Sequence, residues 1–294
     1  MNLKRIRTFR MVVDHKNFSI VAELLGISQP AVSKQIKTLE EDLGVVLLHR
    51  DSVEPTEAGR IVYRKGKELL YAWDELVAEC RAMQGELTGL LRIGTSTIPG
   101  SYLVPPLLRE FRKRYPRMEV CLTVHDSEEV TGLLRDGRLD VGIVGKEPDD
   151  DPFESHVVAQ DRMLLVGPID SDEMDGFGDL KGKPFIFREE GSGTWHAAKE
   201  GLRKWGGSVD RLNCVAQVDS TEAVISLVEA GLGYSIVSSL AAQPATRHGR
   251  IKILAELPVV RSFYLTYLSS KRQNPAIAAL VNLSGSLLGE AGED

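Results

Sequence analysis

The sequence predicts an α/β protein in two parts: a small helical unit with a long connecting helix, then a larger domain of alternating strands and helices. Three observations predict it. Up to about residue 88, apolar residues recur mainly at helical spacing. From residue 90 on, short apolar runs alternate with helical stretches. Midway through that second part, "MLLVGPIDSDEMDGFGDLKGKP" (163–184) interrupts the alternation and divides it into two halves.

A length of 294 residues favours more than one domain. The 43% hydrophobic and 27% charged residues are those of a folded soluble protein. No apolar run approaches the ~20 residues of a membrane helix. The segment "MNLKRIRTFRMVVDHKNF" has neither a continuous apolar core nor a small-residue cleavage site. It does not read as a secretory signal, so a cytoplasmic location and no membrane partner are expected. Cys80, Cys121 and Cys214 are far apart and odd in number. They suggest neither a metal site nor a disulfide framework, and are read as small buried hydrophobes. Net charge is −6, but it is unevenly placed. Residues 1–66 carry eleven Lys/Arg against eight Asp/Glu, the remainder 25 against 34. One end is thereby suited to a polyanion.

Residues 1–59 read as a helical domain. Leu3, Ile6, Phe9 and Val13 form the first apolar stripe, and Asn17-Phe18-Ser19 breaks it. Ser19 is the expected N-cap of "IVAELLG", and Gly26 its left-handed end. Ser28 is expected to cap the next helix, where Pro30 is tolerated because first-turn N–H groups have no partner within the helix. In that third helix Val32, Ile36, Leu39 and Leu43 face inward. At ~100° per residue, Pro30, Ser33, Lys34 and Lys37 fall opposite, with Gln29 at the tip. Two short helices joined through a glycine turn, the second presenting small, amide and cationic groups, make a helix-turn-helix. Such a second helix enters the major groove of double-stranded DNA by its first turns. Gln pairs with adenine, while Ser and Lys meet bases or phosphates. Glu40, Glu41 and Asp42 must then lie away from the duplex, although nothing in the sequence says why they are there.

Residues 60–88 read as one helix opened by Pro55 and Thr56. Val62, Gly66, Leu69, Trp73, Leu76, Cys80, Met83 and Leu87 alternate by four and three, an a/d seam that favours a partner helix. Gly66 within it either permits close approach or weakens the seam.

Residues 89–290 carry the alternation. The expected strands are 90–96, 118–124, 140–145, 184–189, 212–218 and 233–238, with helices over 101–114, 127–137, 194–205 and 220–230. That order implies parallel sheets with ligands at the strand C-termini. "RSFYLTYLSS" (261–270) is expected to return the chain to the first half. Three strand ends carry small hydroxyl residues before a helix: "TSTIPGS" (95–101), "EEGSGTWHAA" (189–198) and "VDSTEA" (218–223). Each alone is ordinary N-capping. Three converging on one cleft would offer N–H groups, helix dipoles and hydroxyls to an anion. Arg188 is read either as a carboxylate or oxyanion ligand or as a partner of its own neighbourhood around Glu189. The histidines show no metal spacing, "KEPDDDP" (146–152) reads as a solvated loop, and no cofactor is expected. No GxSxG, no GxxxxGK[ST] and no Cys/His pair tied to a cleft argues for an enzyme.

The run "FSIVAELLGISQPAVSKQIKTLEEDLGVVLLHR" followed by "PTEAG" resembles the LysR-type transcriptional regulators of bacteria, and the resemblance extends over essentially the whole chain. It implies a winged helix-turn-helix that places Ser28, Gln29, Pro30, Ser33, Lys34, Lys37 and Arg50 at DNA. It further implies a linker helix pairing two subunits into a homodimer or homotetramer, RNA polymerase as a further partner, and a bilobed effector-binding domain of the kind found in periplasmic solute-binding proteins. The lobes are expected at 90–164 with 270–290, and at 165–269. One departure stands out: between Arg50 and the "PT", the family's longer basic wing is replaced by the short acidic "DSVE". "REEGSGT" resembles the family's effector turn, which suggests Ser192, Gly193 and Thr194, with Ser96, Thr97 and Thr221, as effector contacts. Trp195 stands where relatives often carry arginine, and is expected to pack in the core. "GTSTIPGSYLVP" with "REEGSGT" resembles subgroups that respond to sulfur or selenium oxyanions or small acids. The alternative is a solute-binding protein without a regulatory role.

Overall fold

The computed structural model describes residues 3–49, 52–82, 87–149, 151–174 and 176–288. The chain divides into two compact units, Met1–Glu86 and Leu87–Asp294.

In the first unit, α1 (Leu3–His15), α2 (Phe18–Leu25) and α3 (Gln29–Leu43) close around Phe9, Val12, Val21, Val32 and Leu47, none of which has any exposed surface. The N-cap of α2 is Asn17 rather than Ser19: its Oδ1 accepts from the Ser19 and Ile20 amides at 2.8 and 3.2 Å. The helix starts two residues earlier than the sequence suggests, which leaves Ser19 in its first turn. Gly26 ends α2 at φ 63°, in the left-handed region. Ser28 does sit at the N-cap of α3, but its side chain makes no capping bond. Leu43, expected inward, is exposed, because the helix ends there at Gly44 (φ 71°).

The acidic tail of α3 has structural partners. Glu40 Oε1 accepts from the Leu47 amide at 2.7 Å and the Leu48 amide at 3.4 Å, tying the helix end to the following loop. Asp42 pairs with Arg5 of α1 at 2.6 Å. That loop is a minimal wing: Leu48 and Pro55 form an antiparallel bridge, and the His49 amide donates to Glu54 O at 3.0 Å. Glu54, part of the acidic "DSVE", bonds Lys16 at 2.7 Å, and that hydrogen bond and charge hold its carboxyl below the usual range.

The long helix α4 spans Glu57–Ala82, and the Gly59 amide donates to Thr56 Oγ1 at its start. Its apolar seam splits in two. Val62 packs on the unit's own core, and a Cβ on Gly66 would lie 2.6 Å from Ile6 Cγ2, so the glycine lets α4 approach α1. Further along, Leu69, Trp73 and Leu76 are 42%, 48% and 51% exposed. Met83 lies outside the described residues.

The second unit holds a six-stranded sheet in the order β2-β1-β3-β8-β4-β7 and a separate β5-β6 pair. The strands are β1 (Gly89–Thr95), β2 (Met118–Val124), β3 (Val141–Val144), β4 (Phe153–Pro168), β5 (Pro184–Arg188), β6 (Asn213–Val218), β7 (Ser235–Ser238) and β8 (Ile251–Leu268). β1 is parallel to β2 and β3, but β4 and β8 form a long antiparallel ladder. The expected parallel sheets therefore hold only for β2-β1-β3 and for the β5-β6 pair, while β7 is antiparallel to β4. This ladder runs through both lobes. Tyr264–Thr266 pair with β3 of the first lobe, so the expected limit of the second lobe at 269 is corrected: the return crossing lies near Arg261, opposite Asp161 on β4. The first lobe carries α5 (Val104–Arg114), α6 (Ser127–Arg135) and α10 (Pro275–Leu288); the second carries α7 (Gly193–Lys204), α8 (Thr221–Glu229) and α9 (Ser239–Arg247).

Away from the cleft the lobes share one apolar core, in which Leu103 and Leu107 belong to the same cluster as Val224, Val228 and Ala241. Tyr102 also donates to Glu222 across the lobes at 3.2 Å. Burial first, and the Glu222 charge second, push its phenol up to about 12. The cysteines are not buried as expected: all three are exposed. Cys121 and Cys214 lie on the edge strands β2 and β6, where one residue in two faces away from the core.

Candidate functional site

Two surfaces carry chemistry. The first is the polar face of α3. Gln29, Pro30, Lys34 and Lys37 are exposed, Ser28 is exposed just before the helix, and Ser33 is half-buried. Gln29 Nε2 donates to Ser33 Oγ at 3.1 Å, which fixes both polar groups side by side in the first turn. Among the described residues neither lysine is paired with an acid, whereas Glu40 and Asp42 are both engaged with the protein itself. The helix thus presents two free cations at its front, and Gly44 ends it beyond the acids. Arg50 lies outside the described residues.

The second surface is a cleft of about 770 Å³ between the lobes of the larger unit. Ser96 and Thr97, at the end of β1, line one wall and lead into a π-helical turn, Pro99–Leu103. Ser192, Gly193 and Thr194 line the other. Ser192 caps α7: its Oγ accepts from the Trp195 amide at 3.1 Å and donates to Glu189 O at 3.0 Å. Thr221 departs from expectation. It is fully buried, and its hydroxyl accepts from Arg188 Nη1 behind the wall. Arg188 itself is 4% exposed, and its Nε and Nη2 donate to the two oxygens of Glu189 at 2.7 Å each. Of the two readings of Arg188, the structure favours the partner of Glu189. Trp195 packs edge-on to Phe187, with centroids 5.1 Å apart, as a core residue.

Sequence reasoning missed the floor. Asp161 has no exposed surface. Its Oδ1 accepts from Ser238 and Ser239 at 2.9 and 3.0 Å, and its Oδ2 from Arg261 Nε at 2.8 Å. Asp161 and Arg261 are register partners on β4 and β8, and Arg261 lines the cleft. One signal was available: "VVAQDRMLLV" and "VVRSFYL" each set a charge inside an apolar run, and a charge buried in a sheet needs its opposite nearby. Among the described residues no group of His, Cys, Asp and Glu is arranged to hold a metal ion.

Residues 3–60 match the family described as "Bacterial regulatory helix-turn-helix protein, lysR family", and residues 84–288 match the "LysR substrate binding domain". The chain belongs to the LysR family of transcriptional regulators. It is 33% identical, over 92% of its length and 93% of the relative's, to an uncharacterised HTH-type transcriptional regulator of Methanocaldococcus jannaschii. It is 32% identical to the HTH-type transcriptional regulator CbbR of Rhodospirillum rubrum, over 95% of this chain and 94% of that one. CysL, an HTH-type transcriptional regulator of Bacillus subtilis, is 30% identical over 85% of this chain and 84% of its own. Among solved structures, full-length CbnR complexed with its target DNA resembles the chain with a TM-score of 0.65 and 26% identity, covering 97% of this chain and 99% of that one. The architecture is thus that of a LysR regulator, a DNA-binding helix-turn-helix followed by an effector-binding domain. Its named relatives are regulators rather than enzymes.

Proposed function

We propose that this LysR regulator binds a roughly palindromic DNA site as a homodimer or homotetramer and answers to a small anionic effector, an oxyanion or small acid, in the interlobe cleft. One observation carries the DNA reading: Lys34 and Lys37 stand exposed and, among the described residues, unpaired on the same helix as Gln29 and Ser33, while Glu40 and Asp42 at its far end are held by the protein. Ser28, Gln29, Pro30, Ser33, Lys34 and Lys37 meet the duplex, and Arg50 reaches a phosphate. The short wing supplies little, because Glu54 is committed to Lys16. Two-fold pairing through α4 spaces two recognition helices by ~34 Å or a multiple of it. The exposed Leu69, Trp73 and Leu76 support that pairing, since contiguous apolar surface of this kind marks an interface. Action is in the cytoplasm, with RNA polymerase as a further partner; no helix among the described residues is long and apolar enough to cross a membrane. For the effector, the hydroxyls and helix start at the cleft walls support an anion, and the resemblance of "GTSTIPGSYLVP" and "REEGSGT" to subgroups that respond to sulfur or selenium oxyanions or small acids supports an oxyanion or small acid.

The pairing of α4 is tested with Trp73→Asp/Leu76→Asp. Charges placed in an apolar seam are expected to weaken self-association by about 100-fold or more. Affinity for the duplex upstream of the protein's own gene is expected to fall with it, because avidity is lost. Sedimentation and fluorescence anisotropy read both. Unchanged mass together with unchanged affinity removes α4 from the interface.

A further inference from the structure

The cleft contains donors that none of the described residues satisfies. Arg261 is 87% buried by its side chain (13% exposed), and Asp161 engages only its Nε and Nη2. The guanidinium lies over the Phe263 ring, and its Nη1 has no hydrogen-bond partner among the described residues and lies 3.7 Å from where a Cβ on Gly193 would stand, at the start of α7. The amides of Gly193 and Thr194 have no acceptor among the described residues. Thr194 is 4% exposed, lines the cleft, and its hydroxyl is unpartnered among the described residues. A guanidinium edge, two amides and a hydroxyl able to donate therefore line the cleft at the start of α7.

The charged remainder of the lining is mostly acidic, beside two imidazoles, His125, which contacts Glu129 at 3.1 Å, and His196. Arg188 is closed by Glu189, and Lys146 pairs with Asp149 at 3.2 Å. Asp126, Glu128 and Asp219 also line the cleft, and none has a basic partner among the described residues. A second negative charge on the ligand would meet carboxylates there and find no unpaired lysine or arginine among the described residues.

Resting on the reading of the cleft as an anion-effector site, we propose that Arg261 anchors a single anionic head of the effector against the start of α7, and that the acidic lining restricts the effector to molecules with no second negative charge. These are monocarboxylates with neutral bodies and amino-acid-like zwitterions. Citrate-like or bisphosphate-like polyanions are excluded.

Calorimetric titration of the full-length protein at constant ionic strength, with lactate and serine against malate and citrate, tests this. Lactate or serine is expected to saturate, and malate and citrate are not. Arg261→Lys keeps a cation for Asp161 but loses the guanidinium edge. Gly193→Ala sets a methyl in ordinary contact with Nη1 and has no reason to misfold. Each is expected to weaken the binding by about tenfold or more, the size of a lost charge-assisted hydrogen bond. Thermal melting confirms that both variants are folded. Binding unchanged in both variants overturns the proposal, as does saturation by neither lactate nor serine. Malate binding that depends on Arg261 overturns the one-charge restriction and leaves the anion reading standing. Binding of ethanolamine alone, indifferent to Arg261, overturns the anion reading as well.

Discussion

Asp161→Ala is expected to cost the effector domain about 3 kcal/mol of stability. The carboxylate is wholly buried and holds three groups at once: Ser238, Ser239 and Arg261. Its removal leaves a guanidinium in the sheet with no counter-charge and two hydroxyls with no acceptor, each a penalty rather than a mere lost gain. The estimate sits at the low end for a broken buried pair because Arg261 keeps some contact with water. Asp161→Asn keeps the shape and an acceptor for the serines, so it should lose less. Urea unfolding followed by tryptophan fluorescence separates the two variants. Equal stability of wild type and Asp161→Ala would show that the pair contributes nothing net. Because Asp161 and Arg261 sit where the two crossing strands pair, the same substitution is also expected to weaken any ligand held by Arg261.

The second large effect is on DNA. Lys34→Ala/Lys37→Ala removes two free cations without touching the core. Two lost phosphate or base contacts per bound subunit are expected to lower affinity by at least about 10- to 100-fold near physiological salt, and to reduce the slope of log K against log salt by about 1.8 for each subunit on the duplex. If the lysines meet phosphates, affinity for unrelated sequence falls in parallel; if one reads a base, specific binding falls further. Anisotropy titrations over a salt series give both quantities. An unchanged slope would take these residues off the DNA face.

Much of this was legible before any coordinates, and the exceptions have physical causes. The face of α3 could be read because a solvent-facing helix keeps a clear 3.6-residue pattern, as Val32, Ile36 and Leu39 show. Glu40 could not be explained, because its partners are the backbone amides of Leu47 and Leu48, which carry no sequence signature. The seam of α4 reads as one stripe, yet Gly66 faces Ile6 while Trp73 faces solvent. A heptad does not say which of its positions an intramolecular neighbour takes. The β4–β8 ladder escaped because a strand crossing two lobes changes its buried face along its length, which blurs the two-residue alternation. Cys121 and Cys214 were misjudged on residue type alone, since edge strands expose small hydrophobic groups that a central strand would bury. In the cleft, Ser192 and Thr194 were found through the turn they form, whereas Arg261 and Asp161 are a hundred residues apart and meet only once the register of the ladder is known.

The central claim is that the front turns of α3 enter the duplex and its acidic end does not. Photo-crosslinking tests it most directly. A benzoylphenylalanine is placed in turn at Gln29, Ser33, Glu41 and Asp42 of the full-length protein, and each variant is irradiated on labelled duplex from upstream of its own gene. The account predicts adducts from positions 29 and 33, reduced by added salt, and none above background from 41 or 42. Adducts from 41 and 42 with none from 29 and 33 would contradict it.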